Sequence, residues 1–273
     1  MTTTGEVGQR MRFDVREFAR TAQGNHRETL QLGEYSQTPL SPDSVRMVRY
    51  LGRLEGATME HLRNLLVTAT HKDARVTAFL VTWAFEKFWI ADALDAVLEA
   101  NGLPRFQDAP EGKIRKKRGE SADRRGPIRR AVSAIRLGVP IIATHTTSGL
   151  IDEWITRAAY VRLAAQSKSA ALGSTIAMIL DIKKRHAEFF DDESRRRLSE
   201  SPKAVALTRK TLLHASWPIG AIDRAAEDRS FFENYVFGGS EGVASAAEIE
   251  HRVAALPGLD DKIGESIAQK LLP

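Results

Sequence analysis

The 273-residue chain contains no cysteine. That excludes disulfides, thiolate zinc sites, iron–sulfur clusters and a cysteine nucleophile. Long apolar runs are also missing. The longest nearly uncharged stretch, Val76 to Ile90, is broken by Glu86 and Lys87 and is too short to span a bilayer. The first residues, MTTTGEVGQRMRFD, hold no apolar core of a secretory signal, so a cytoplasmic protein with no membrane partner is expected. Alternation with period two is scarce, which points away from strands. No Gly-x-Gly-x-x-Gly or Walker pattern follows a strand, and no nucleophile elbow frames a serine. Internal repeats and low-complexity segments are absent.

What is present is a composition typical of globular proteins, 42% hydrophobic and 27% charged, long enough for one substantial core. The formal charge of +5 is unevenly distributed. Residues 111–136 hold ten Lys and Arg against three acidic residues, so the remainder of the chain is slightly acidic. A solvated basic loop is the simplest account of this segment. An acidic carrier or partner is the next, and nucleic acid is disfavoured because no aromatic residue in the segment can stack on bases.

Helical periodicity dominates the rest. Residues 1–40 form an arm with one short helix. Ser41-Pro42-Asp43 supplies a serine cap and a proline at the first helical position, and opens a helix predicted to run to Ala69. A second helix starts near Lys72 or Asp73 and stops at Asn101-Gly102. The Pro- and Gly-rich connection 103–145 carries a short helix over Ile128–Leu137. A third helix is expected over Thr147–Gln166 and a fourth from Ser169 to Arg197. Further helices follow over Pro202–Ser216, Glu227–Phe237, Ala246–Leu256 and Leu259–Leu271. The fold class is therefore all-α, divided into an arm (1–40), a helical bundle (41–200) and a C-terminal helical extension packed on it (201–273).

Inside these stripes stand charged residues where apolar ones belong. Lys87 interrupts Val76, Leu80, Trp83, Ile90, Leu94 and Val97 on the second helix, and Lys183 interrupts Leu172, Ile176, Ile179 and Phe190 on the fourth, with His186 close by. Glu55 and Glu153 occupy mid-stripe positions on the first and third helices. A buried lysine is costly unless a carboxylate meets it, so a buried charged centre is expected. Burial and mutual repulsion are expected to lower the lysine pKa values, making one a base or an imine-forming nucleophile. Glu55 or Glu153 then shuttles protons, His186 acts as acid or base, and Tyr160, two turns beyond Glu153, donates to a substrate oxygen. A pocket for the substrate is expected among Phe79, Trp83, Ile90 and Trp154. Glu86, rotated about 100° from Lys87, reads as an interhelical salt-bridge partner. Arg157, at i+4, reads as a partner for Glu153, and His61, His71, His145, His214 and His251 as surface or capping residues.

The segment Ile151–Tyr160 (IDEWITRAAY) resembles the third helix of the ferritin-like di-iron carboxylate superfamily. Ile179–Phe190 (ILDIKKRHAEFF) resembles its fourth, where Arg-His precedes aromatic residues. Val67–Gly102 is similar to the second helix of ferritin-like proteins found in actinobacteria. The resemblance spans roughly residues 45–215 and implies a four-helix bundle with a long crossover and two Glu-x-x-His pairs. Here those pairs are broken: Lys87 and Ile90 stand in the second-helix slots, and Lys183 stands in the glutamate slot before His186. A protonated lysine cannot ligate a metal and repels it. The combined expectation is a metal-free and cofactor-free centre, with two ammonium groups balancing Glu55 and Glu153. It makes the protein a cofactor-independent biosynthetic enzyme of isomerase, cyclase or lyase type acting on a small organic substrate. The alternatives are a non-catalytic binding or partner protein with a structural salt-bridge cluster, and a residual metal-dependent oxygenase. A homodimer is compatible with either role.

Overall fold

A computed structural model describes residues 12–106 and 138–273, and among them every regular element is helical. The basic segment 111–136 and the expected helix Ile128–Leu137 lie outside the described residues. None of the described helices is long and apolar enough to cross a membrane.

Two short helices, α1 (Val15–Arg20) and α2 (Glu34–Gln37), belong to the N-terminal arm. Three of the long helices begin within two residues of their expected starts. Ser41 caps α3 (Pro42–Gly56), with Pro42 in the first turn. Asp73 caps α5 (Ala74–Ala100) through the Val76 N–H at 3.0 Å, and Ser169 caps α7 (Ala170–Glu200) through the Leu172 N–H at 3.2 Å. Between α3 and α5 lies α4 (Thr58–Leu66). The single helix expected over 42–69 is therefore two, parted at Ala57. Glycine is a weak helix former, and Gly56 sits at this joint, where a β-carbon would come 3.0 Å from the Phe106 ring.

Helix α6 (Ile141–Ser167) begins six residues before the expected start. Its opening Ile-Ile-Ala-Thr-His-Thr-Thr run is rich in β-branched residues of modest helix propensity. Burial of Ile141, Ile142, Ala143, Thr144, Thr146 and Thr147 overrides that preference. Lys168, at φ 53°, terminates the helix in the left-handed region. After α8 (Pro202–His214) and α9 (Ala226–Phe237), helix α10 (Gly239–Ala254) also starts earlier than Ala246. Gly242 permits this, because a β-carbon there would lie 2.5 Å from the Phe237 carbonyl oxygen. Helix α11 (Asp261–Gln269) closes the chain.

The bundle consists of α3, α5, α6 and α7, with α3 packed on α5 and α6 on α7. Gly52 faces Leu94 and Gly56 faces Ala91, so α3 and α5 run antiparallel. Gly149 faces Phe190 while Glu153 meets Lys183, which makes α6 and α7 antiparallel too. Helices α8 to α10 all pack on α6, and their apolar side chains join the same core as the bundle. One end of the bundle is aromatic: Phe79 stacks on Phe189 with centroids 3.6 Å apart, and Phe13, Phe18 and Phe190 pack around them. The polar centre lies next to this cluster.

Candidate functional site: a buried charge quartet beside a polar cavity

Each bundle helix delivers one charged side chain to the axis: Glu55 from α3, Lys87 from α5, Glu153 from α6 and Lys183 from α7. All four are buried. Lys87 Nζ lies 2.6 Å from Glu55 Oε2 and 3.8 Å from Glu153 Oε1. Lys183 Nζ lies 2.6 Å from Glu153 Oε2 and 3.3 Å from Glu55 Oε1. Each glutamate thus touches both lysines. The quartet is neutral, and its charge alternates in sign around the ring. Two further donors reach it: the Trp83 indole N–H donates to Glu153 Oε1 at 3.2 Å, and the Tyr160 hydroxyl donates to Glu55 Oε1 at 3.0 Å.

Burial pushes the Glu55 and Glu153 carboxyls up, but the ammonium groups of Lys183 and Lys87 outweigh it. Both stay below the ordinary carboxylate range, Glu153 well below. For Lys87, burial pulls the ammonium down, and Glu55 and Glu153 more than reverse that, so its pKa is raised. The expected depression of the Lys87 pKa therefore does not occur: paired carboxylates stabilise the ammonium more than burial penalises it. Tyr160 is fully buried and its phenol is pushed well above its usual value by burial and by Glu55. Its hydroxyl is spent on Glu55 rather than being open to a substrate oxygen.

His186 is also fully buried, but its main partner is Glu86: Nε2 lies 2.7 Å from Glu86 Oε2. Its Nδ1 is 3.6 Å from Glu153 Oε1, beyond ordinary hydrogen-bond length. Glu86 in turn accepts from the Gln23 backbone N–H at 2.8 Å and pairs with Arg185, so it ties the arm, α5 and α7 together. The interhelical role expected for Glu86 is the one it has. Arg157 is exposed and makes no ion pair with Glu153, whose oxygens face the two lysines.

Beside the quartet opens a cavity of about 170 Å³. Helix α6 lines it with one stripe, His145, Gly149, Asp152 and Thr156, at i, i+4, i+7 and i+11. Helix α4 contributes His61, Asn64 and Leu65, α5 contributes Trp83 and Lys87, and the loop after α8 contributes Ile219 and Gly220. Of the four residues expected to form a pocket, Trp83 alone lines this cavity. Phe79 and Ile90 are sealed in the core, and Trp154 faces a separate open groove bordered by Lys183 and Arg157.

Titratable residues not foreseen in this wall include Asp152, His61 and His145. Asp152 is buried; its Oδ1 accepts from the Ile219 N–H at 2.7 Å, and burial raises its pKa to about 6, against the pull of Lys87. Burial lowers His61 to about 4, with Lys87 adding to the effect, and it lowers His145 to about 4, with His61 adding. His145 Nδ1 is 2.8 Å from the Thr70 hydroxyl. Neither His61 nor His145 is a free surface residue, contrary to expectation. The available signal was the His145–Gly149–Asp152–Thr156 stripe, which sits on one face of α6 with a polar residue or glycine at every position.

The residues present do not fit a di-iron centre. The space between Glu55 and Glu153 is filled by two ammonium groups, and among the described residues no cluster of three or more His, Asp or Glu has the geometry to hold a metal. Comparison with known proteins gives no match among family models, curated proteins or solved structures.

Proposed function

We propose that this protein is a cofactor-independent enzyme of isomerase, cyclase or lyase type. Its scaffold resembles the ferritin-like bundle, and the Lys/Glu quartet takes the place of the metal centre. One observation carries this reading: Lys87 belongs at once to the quartet and to the wall of a cavity that also holds Asp152, His61 and His145. Displaced pKa values gathered in one cavity are a recurring mark of catalytic sites. In this reading Lys87 acts as a fixed ammonium group, Glu55 and Glu153 hold its charge and position, and Lys183 keeps the pair of carboxylates neutral overall. Tyr160 and His186 are positioning residues, acting through Glu55 and Glu86.

The test is conversion of a panel of small organic compounds by metal-stripped protein, followed by NMR. Conversion by the wild type, lost when Asn64→Trp plugs the cavity from its exposed rim, supports the reading. No binding and no conversion by the wild type would leave the second reading, a non-catalytic partner protein. That alternative is favoured by one observation, the complete pairing of charges within the quartet.

A further inference from the structure

Lys87 is bonded to the quartet on one side only. An ammonium group carries three N–H donors. Of the two quartet oxygens near Lys87 Nζ, only Glu55 Oε2, at 2.6 Å, is within hydrogen-bond reach, because Glu153 Oε1 lies 3.8 Å away. The same side chain lines the cavity, so donor capacity remains for a ligand oxygen there. Asp152 shares that wall, and a single bond from the Ile219 N–H leaves most of the carboxylate's acceptor capacity open.

The rest of the lining narrows the ligand. Leu54, Leu65, Trp83, Phe190 and Ile219 make much of the wall apolar. At about 170 Å³ the space is smaller than the ~300 Å³ at which drug-sized sites begin. The charge of Lys87 is already offset by Glu55 and Glu153, so no permanently anionic group is required. A cation of this kind favours an oxygen that acquires negative charge during reaction over one that carries it beforehand.

We propose that the cavity binds a small carbonyl compound, with Lys87 donating to the carbonyl oxygen and Asp152 removing a proton from the adjacent carbon. This rests on the enzymatic reading above and names its substrate class and proton acceptor. The C–H electron pair becomes a C=C bond, the C=O π pair moves onto oxygen, and the proton resides on Asp152. Exchange of that proton with solvent before it returns to the original carbon gives hydrogen exchange. In an α-hydroxy carbonyl compound, its return to the former carbonyl carbon, with the hydroxyl proton passing to the enolate oxygen, gives an isomer. No oxidant or reductant is needed. The raised pKa of Asp152, about 6, suits a base that works near neutrality. The charged and titratable groups around it are Lys87, Glu153 and Lys183 on the quartet side and, in the cavity wall, Glu60, Asp223 and the two histidines His61 and His145, which are neutral near pH 7.

The experiment is ¹H NMR in D₂O of small ketones, aldehydes and oxo acids with catalytic amounts of the full chain. The wild type should exchange the hydrogens next to the carbonyl of at least one compound, with a rate that declines below pH about 6. Asp152→Asn, which keeps an acceptor for the Ile219 N–H, should slow exchange by roughly 10²-fold or more while binding the same compound. A compound that is bound and converted equally well by wild type and Asp152→Asn would overturn the proposal and leave the enzymatic reading standing. Borohydride trapping of an adduct on Lys87 would overturn the ammonium role. A wild type that binds and converts nothing would overturn both the proposal and the reading beneath it.

Discussion

Lys87 holds its ammonium nitrogen 2.6 Å from Glu55 Oε2, in a core position that the surrounding helix stripe would give to a leucine. Both groups are buried, so the pair has lost its water and depends on the second pair, Lys183 and Glu153, for balance. Removing one member leaves an uncompensated buried charge, which costs about 3–5 kcal/mol. Lys87→Met should therefore destabilise the protein by that amount in a denaturant titration. Adding Glu55→Gln should recover much of the loss, because the unmatched carboxylate goes with it. If the double variant is no more stable than Lys87→Met, the quartet does not act as a charge-balanced unit.

A second ion-pair cluster governs acid stability. Glu193 is fully buried and accepts from Arg75 Nε at 2.8 Å, Arg196 Nη2 at 2.7 Å and Arg197 Nε at 2.9 Å. Burial pushes this carboxyl up, but Arg75 and Arg196, followed by Arg197, hold it at about 2, below its usual 4.5. A depressed carboxylate stabilises the fold above its unfolded pKa and loses that contribution as pH falls through its folded one. The window here is pH 4.5 down to about 2, and the shift is worth about 3 kcal/mol. Glu193→Gln should lower stability at pH 7 and flatten the decline across that window, as followed by urea unfolding at a series of pH values.

The two cavity histidines act in the acidic range with a different origin. Burial, with Lys87 nearby for His61, lowers both from 6.5 to about 4. In the unfolded chain they protonate near 6.5; in the fold they stay neutral until about 4. The unfolded state therefore binds more protons between these values, and stability falls as pH drops from 6.5 toward 4. Their ring resonances should remain those of neutral imidazole at pH 5.5 in an NMR titration. His61→Phe should remove part of the stability loss in this window. Titration of either ring near pH 6.5 in the folded protein would mean that the cavity is open to bulk water.

The charged centre was legible because it lies on single helices. A 3.6-residue period is enough to place Lys87 and Lys183 among apolar neighbours, and the same holds for Glu55 and Glu153. The starts of α3, α5 and α7 were legible to within two residues as well, that of α3 from its Ser41 cap and Pro42. What was not legible depends on contacts between distant segments. Tyr160 could be placed on the correct face of α6, but its bond to Glu55 exists only because α3 packs opposite. His61 and His145 looked like surface residues because the cavity that encloses them is made by the break at Ala57, the early start of α6 and the loop at Ile219. The pKa of Lys87 was expected to move the wrong way, since its sign depends on two glutamates brought from other helices.

Two glycines separate cavity geometry from general helix stability. Gly149 lies in the α6 stripe that lines the cavity, and a β-carbon there would come 2.8 Å from two atoms of the Phe190 ring. Phe190 is buried between Phe79 and Trp83, so it has little room to retreat. Overpacking of this kind costs about 1–3 kcal/mol, and a shifted Phe190, itself part of the wall, changes the shape of the cavity. Gly173, in the first turns of α7, has nothing within 4 Å of its would-be β-carbon. Gly173→Ala should therefore raise stability by about 0.4–1 kcal/mol through a less flexible unfolded chain, with ligand affinity unchanged. Gly149→Ala should lower both stability and affinity, as measured by thermal unfolding with and without a bound compound. Equal affinity in the two variants would place the ligand away from the Phe190 wall and outside the cavity beside Lys87.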